Sequence, residues 1–200
     1  VPTCLAFAMN LAAGKAELSS CPHVSEEAKA KLEEASAPPI RPVTIGAGEG
    51  QVKIGGETVL FRHEKRFENP TAIAMLVRDD MSDDEIAARL EKFRTLRYER
   101  VGLILKPDMV ALESASGDPE RFAQVAARIH ADTGGAAMIL MSDQPAVLAR
   151  ALEAVPGSRP LLYGVTTENL EAMLELAKAH QAPLGVKGES IDEVIAASQK

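Results

Sequence analysis

Downstream of Thr71 the chain alternates between two hydrophobic periods. Short apolar runs at Ala72–Val77, Met109–Leu112, Ala137–Met141, Leu161–Val165 and Pro183–Val186 have the length and content of buried strands. Between them, Asp83–Arg97, Pro119–Asp132, Gln144–Ala154 and Glu168–His180 repeat apolar residues at helical spacing, and Ile191–Ser198 begins another such stretch. Val101–Leu105 is too short a run to separate strand from helix end. Five βα units, roughly 25 to 35 residues apart, predict a parallel sheet with right-handed crossovers.

Two closures suit that series, an open doubly wound sheet or a (β/α)8 barrel. No phosphate-binding glycine loop follows the first strand, which favours the barrel. The predicted fold class is therefore α/β, a partial (β/α)8 TIM-type barrel of about five units behind a small helical N-terminal module. Eight units need about 250 residues, so the C-terminus reads as truncated.

Upstream the pattern changes twice. Residues 51–60 alternate around Gly55-Gly56 and predict a β-hairpin with those glycines at the turn. Ala37-Pro38-Pro39-Ile40-Arg41-Pro42 favours extended backbone and reads as a linker. The expected organisation is a module over 1–36, a Pro/Gly-rich linker over 37–50, and the hairpin with the first part of the barrel over 51–200. Within the module, Leu5–Ala13 is built of good helix formers with Gly14 placed to stop it, and Ser25 is a cap for a charged helix over Ser25–Ala35.

Composition narrows the partners. Apolar residues make up 46% of 200, enough for a sizeable core, and the net charge is −7 with no clustered Lys/Arg strip. Neither nucleic acid nor a membrane is an expected partner. No apolar run reaches membrane-spanning length, and two cysteines do not make a secreted disulfide scaffold. A reducing cytoplasm fits best.

Those two cysteines, Cys4 and Cys21, carry the main candidate chemistry. A helix over Leu5–Ala13 rises about 15 Å, and Lys15–Cys21 can span about 23 Å when extended, so the chain can return Cys21 to the neighbourhood of Cys4. That fold-back permits shared metal ligation or a disulfide, and spacing alone does not choose. Other motifs are weaker. Gly46-Ala47-Gly48-Glu49-Gly50 looks faintly like a nucleotide loop, but prolines precede it and a hairpin, not a helix, follows. His23, His63, His130 and His180 show no paired ligand spacing and suit the surface or helix ends.

The segment Thr3-Cys4-Leu5-Ala6-Phe7-Ala8-Met9-Asn10-Leu11-Ala12-Ala13-Gly14, closed by Cys21-Pro22, resembles the second half of a four-cysteine iron–sulfur domain. That pattern runs Cys-Gly-x-Cys-Gly-x-x-Thr-Cys, then Phe-Ala-x-x-Leu-x-x-Gly, then Cys-Pro. With the proline stretch, the βα series, Arg62-His63-Glu64-Lys65-Arg66-Phe67 and Glu99-Arg100-Val101-Gly102, the chain resembles the corrinoid iron–sulfur protein large subunit family. In archaea that family supplies the gamma subunit of the acetyl-CoA decarbonylase/synthase complex.

The resemblance implies several things. Cys4 and Cys21 match the third and fourth ligands of a [4Fe–4S] cluster, and the first two ligands would lie ahead of Val1. Phe7 and Leu11, one turn apart on one helix face, suit either shields of the cluster or ordinary core residues of the module. It implies a methyl carrier of the reductive acetyl-CoA pathway, moving a methyl group on a corrinoid cobalt from a methyl-pterin or methyl-tetrahydrofolate to acetyl-CoA synthase. The corrinoid would sit in a C-terminal domain absent here. Implied partners are a small subunit, in a heterodimer, a methyl-pterin methyltransferase and acetyl-CoA synthase/CO dehydrogenase. The rivals are a ferredoxin-like electron-transfer subunit and a pterin-binding methyltransferase barrel.

A barrel gathers its chemistry at strand C-termini. Arg78-Asp79-Asp80, Glu113-Ser114, Ser142-Asp143, Thr166-Thr167 and Lys187 occupy those positions. Ser82, Asp118, Asp143 and Thr167 are also suited to cap the helices that follow. The sequence assigns no catalytic residue among them.

Overall fold

A computed structural model describes residues 3–12, 16, 20–21, 23, 25, 40–61 and 64–198. The chain divides into two compact units, 1–41 and 42–200. In the first, helix α1 (Cys4–Ala12) is the regular element among the described residues. Thr3 opens it: its hydroxyl accepts from the Ala6 amide at 3.2 Å and its carbonyl from Phe7 at 3.0 Å. The expected second helix over Ser25–Ala35 lies outside the described residues.

The second unit begins with four short strands, β1 (Val43–Ile45), β2 (Val52–Ile54), β3 (Glu57–Phe61) and β4 (Glu64–Phe67). Three elements then lead into the series: β5 (Ala74–Arg78), α2 (Asp83–Thr95) and a hairpin of β6 (Tyr98–Arg100) and β7 (Leu103–Leu105). After them come β8 (Met109–Glu113), α3 (Pro119–Asp132), β9 (Met138–Met141) and α4 (Pro145–Ala154). The unit ends with β10 (Leu161–Val165), α5 (Leu170–His180), β11 (Leu184–Val186) and α6 (Ile191–Ser198).

Five parallel strands form one sheet in the order β11-β10-β9-β8-β5, so each new strand is added beside its predecessor without reversal. One face of that sheet carries Val77, Val110, Leu112, Met138, Leu140 and Leu162. All six are buried in a single core with Ile86 and Leu90 of α2, Phe122 and Ile129 of α3, Leu148 and Leu152 of α4, and Met173 of α5. The helices thus cover one face. A doubly wound sheet places helices on both faces and reverses its strand order at a switch point. Single winding of this kind is the arrangement of barrel units, and it is what the sequence predicts.

The other face is plugged at the N-terminal ends of the strands. Ile45 is fully buried against Met109 and Ala137, flanked by Val52, Ile54, Ala74, Ile139 and Leu161. Gly46 N–H donates to the Arg159 carbonyl at 2.8 Å and Ala137 N–H to the Gly50 carbonyl at 3.1 Å. Val43–Ile45 therefore belongs with the sheet it plugs, although the sequence places it inside a linker over 37–50.

One expectation is overturned. Val52–Ile54 does not pair with the residues beyond Gly55-Gly56; β2 pairs antiparallel with β1, and β3 with β4. The Gly55 and Gly56 carbonyls accept instead from Asn69 and Glu68, so the two glycines, both at positive φ, switch the chain between sheets. Burying Ile45 outweighs the local turn preference. The unassigned stretch Val101–Leu105 resolves as the β6–β7 hairpin, turning at Val101-Gly102 with φ of 50° and 75°.

Candidate functional site

Cys4 is the first residue of α1 and is exposed; Cys21 is half-buried, and both are free thiols. Of the two outcomes the spacing permits, the disulfide is not formed. Helix α1 spans Cys4–Ala12 and Ala16 lies in a bend. A helix unbroken from Cys4 to Cys21 would instead hold the cysteines more than roughly 20 Å apart at 1.5 Å per residue.

Cys4 stands at a helix start and Cys21 in irregular chain, and thiol donors of this soft type suit iron. The described residues hold no cluster of three or more His, Cys, Asp or Glu able to bind a metal. The donor type is the one iron–sulfur clusters use, and the sequence holds two cysteines against the four thiolates that such a cluster takes. Phe7 is half-buried; the side chain of Leu11 lies outside the described residues.

The second constellation is the C-terminal end of the parallel sheet. Glu113 closes β8, Ser142 and Asp143 follow β9, Tyr163 lies in β10 with Thr166 just after it, and Lys187 follows β11. All of them line a cavity of about 250 Å³. An adjoining cavity of about 420 Å³ shares Thr166 and Lys187 and adds Thr167, Glu168, Glu189 and Glu193. The structure thus gathers most of the strand-end residues that the sequence singles out.

Arg78 stands at the edge of this group, 2.7 Å from Asp80 and 3.9 Å from Glu113. Asp79 is turned away into the loop after β8. Tyr163, Glu189 and Glu193 join the lining without having been singled out. The signal for Tyr163 is its alternation with the buried Leu162, which points it to the helix-free face.

Capping accounts for only some of these polar residues. Ser82 forms a full capping box with Glu85, which holds the Glu85 carboxyl below its ordinary value through the Ser82 backbone N–H and then its hydroxyl. Asp118 accepts from the Glu120 amide at 3.0 Å, with Pro119 at the helix start. Asp143 and Thr167, expected as caps, are not. Helices α4 and α5 begin one and two residues later, behind Gln144 and Asn169. Asn169 instead ties the loop, its Oδ1 accepting from Thr166 N–H and its Nδ2 donating to the Asp143 and Gly164 carbonyls. The Asp143 carboxylate is therefore left at the cavity. His130 and His180 lie in the last turns of α3 and α5, as expected of helix-end histidines.

Among the described residues no helix is long and apolar enough to cross a membrane. A family model for the CO dehydrogenase/acetyl-CoA synthase delta subunit matches residues 42–197. A second, for an Fe-S cluster segment, matches residues 1–23. The corrinoid/iron-sulfur protein large subunit of Moorella thermoacetica is 46% identical over 193 residues, covering 96% of this chain and 43% of that protein. The acetyl-CoA decarbonylase/synthase complex subunit gamma of Methanopyrus kandleri is 38% identical over 193 residues, covering 96% and 42%. The subunit of that name from Methanothermobacter thermautotrophicus is 35% identical over 182 residues, covering 91% and 39%. The chain thus spans less than half the length of these relatives.

Proposed function

Because the chain belongs to the CO dehydrogenase/acetyl-CoA synthase delta subunit family, we propose that it is part of a methyl carrier of the acetyl-CoA pathway. In this reading a corrinoid, bound by a further domain, carries the methyl group from a methyl-pterin or methyl-tetrahydrofolate to acetyl-CoA synthase. The observation that carries it is the pairing, on one chain, of an Fe-S segment with two free cysteines and a singly wound βα unit. A small subunit, a methyl-pterin methyltransferase and acetyl-CoA synthase/CO dehydrogenase are the proposed partners, in a cytoplasmic assembly. The sheet is proposed to be five-eighths of a (β/α)8 barrel.

Cys4 and Cys21 are proposed to supply two thiolates to a [4Fe–4S] cluster, the other two coming from a Cys-Gly-x-Cys-Gly segment ahead of Val1. When bound, such a cluster supplies single electrons at low potential. The chain's own part is to hold the sulfurs. Thr3 fixes the start of α1 through its hydroxyl and carbonyl, and so fixes the direction of the Cys4 side chain. Half-buried Phe7, one turn on, restricts water on the same helix face.

Anaerobic reconstitution with iron and sulfide tests this. A chain preceded by the Cys-Gly-x-Cys-Gly segment should take up four irons, and Cys4→Ser or Cys21→Ser should abolish a stable cluster. The 200-residue chain taking up four irons by itself, or indifference to both substitutions, would refute the ligand assignment. A second reading, a pterin-binding methyltransferase barrel, draws on the cavity at Glu113, Asp143 and Lys187. Titration of the chain with a methyl-pterin separates the two, since binding there favours the second.

A further inference from the structure

A cavity of about 620 Å³ opens at the opposite end of the sheet, where the loops enter strands β8 and β9. Its walls come from β2, the end of α2, the segments flanking the β6–β7 hairpin and the turn after α3. Four cations line it: Lys53, Arg94, Arg97 and Lys106. Two carboxylates, Glu49 and Asp108, accompany them. On a chain of net charge −7, that local excess runs against the whole.

The cations are poorly neutralised. The side chains of Lys53 and Lys106 make no hydrogen bond or ion pair among the described residues. The recorded side-chain bond of Arg97 goes to the neighbouring Leu96 carbonyl at 2.8 Å. Arg94 is shared between Glu91 and the Asp132 carbonyl. Of the carboxylates, Asp108 is committed elsewhere, its Oδ2 accepting from the Ile73 amide at 2.9 Å. Like charges gathered in a concavity with low-dielectric walls focus a positive potential, which draws in anions.

Shape and lining narrow the anion. The volume falls within the roughly 300–1,000 Å³ of small-molecule and cofactor sites, far more than one phosphate fills. Phe93 and Pro107 add an apolar wall beside the cations. Lysines act as point-charge partners for phosphate oxygens, and Arg97 can present a planar fork to them. Gly48–Gly50 is not itself a phosphate cradle, because this 3-10 turn runs into strand β2 and not into a helix N-terminus.

We propose that this cavity binds a small organic diphosphate, of the nucleoside diphosphate class, with Lys53, Arg97 and Lys106 on its phosphates and Phe93 and Pro107 against its organic part. The site is independent of the iron–sulfur and corrinoid reading, and it stands or falls without them.

Isothermal titration of the intact chain at low ionic strength tests it, with ADP, pyrophosphate, orthophosphate and sulfate as probes. ADP should bind most tightly, pyrophosphate next, and added salt should weaken both. The double variant Lys53→Gln/Lys106→Gln should weaken ADP binding at least about tenfold, given two charge-assisted bonds lost. Glu49→Gln, which removes a lining negative charge, should tighten it, so the site can also be tested by a gain. ADP binding no tighter than sulfate would reduce the cavity to a non-specific charge cluster and overturn the proposal. So would undiminished affinity in the double variant, or binding of an acidic peptide but not of ADP.

Discussion

Ser116 Oγ donates to Asp79 Oδ2 at 2.6 Å, and the Ser116 and Ala115 amides both donate to Asp79 Oδ1, at 2.8 and 2.7 Å. Asp79 is 1% exposed, the one buried charged side chain of the described residues. A single carboxylate from the end of β5 therefore organises the loop that leaves β8. Arg121 of α3 reinforces it from the other side, donating to the Asp79 and Met81 carbonyls.

Replacing that carboxylate leaves three donors without their acceptor. Asp79→Ala should cost about 2–4 kcal/mol, given the worth of hydrogen bonds to a charged group. Asp79→Asn, which keeps one acceptor oxygen, should cost less. Urea unfolding of both variants checks the order; an Ala variant as stable as the parent would remove Asp79 from this role.

Acid should weaken the fold in a defined window. The Arg121 side chain, by hydrogen bond and then by charge, holds the Asp83 carboxyl below its ordinary value of 3.8. Arg150 does the same for Glu120, below 4.5, and Ser82 for Glu85. Carboxyls depressed in the folded state contribute stability that is full above their unfolded values and is lost as pH falls through the folded ones. The urea midpoint should therefore hold down to about 4.5 and decline below it. Glu120→Gln, which uncouples Arg150, should make that decline shallower.

Gly50 is needed for space. A Cβ at this position would lie 2.3 Å from the Gly135 carbonyl oxygen, a backbone atom that cannot swing aside. Gly50→Ala should destabilise the chain by about 1–3 kcal/mol, the usual range for overpacking. Thermal melts check this, and an unchanged midpoint would mean that the β1–β2 plug docks loosely.

Val101 offers a gain. It sits at φ 50° at the tip of the β6–β7 hairpin, 94% exposed, so its branched side chain is strained there without compensating burial. Val101→Asn creates the Asn-Gly pair that such turns favour and should stabilise by about 1 kcal/mol. A destabilised variant would show that the valine is held by contacts that its exposure does not suggest.

The βα series was legible because its signals are local. The bounds of α3, Pro119–Asp132, and of β10, Leu161–Val165, follow directly from Asp118-Pro119 at a helix start and from a short apolar run between prolines and threonines. The pairing of β2 was not legible. Three-residue strands carry little periodicity, and the partner was chosen by burial of Ile45 against Met109 and Ala137, which lie far along the chain. At the candidate sites, the residue types at strand ends could be read, but their convergence could not. Only the fold shows that Asn169, not Asp143 or Thr167, takes the loop, and that Tyr163 and Lys187 share a cavity.

The strand order has a kinetic consequence. Every pairing in the parallel sheet joins a strand to the next strand of that sheet, with only the β6–β7 hairpin inserted between β5 and β8, so each step of assembly closes a loop of one βα unit. Growth can therefore begin at any adjacent pair and spread outward. The β1–β2 plug is different, because the Gly46–Arg159 and Gly50–Ala137 bonds reach across several units and can form only on a sheet already assembled. It should dock last and open first. In native-state hydrogen exchange, the Gly46 and Ala137 amides should lose protection by a partial opening that leaves the Val110–Leu112 and Leu140 amides closed.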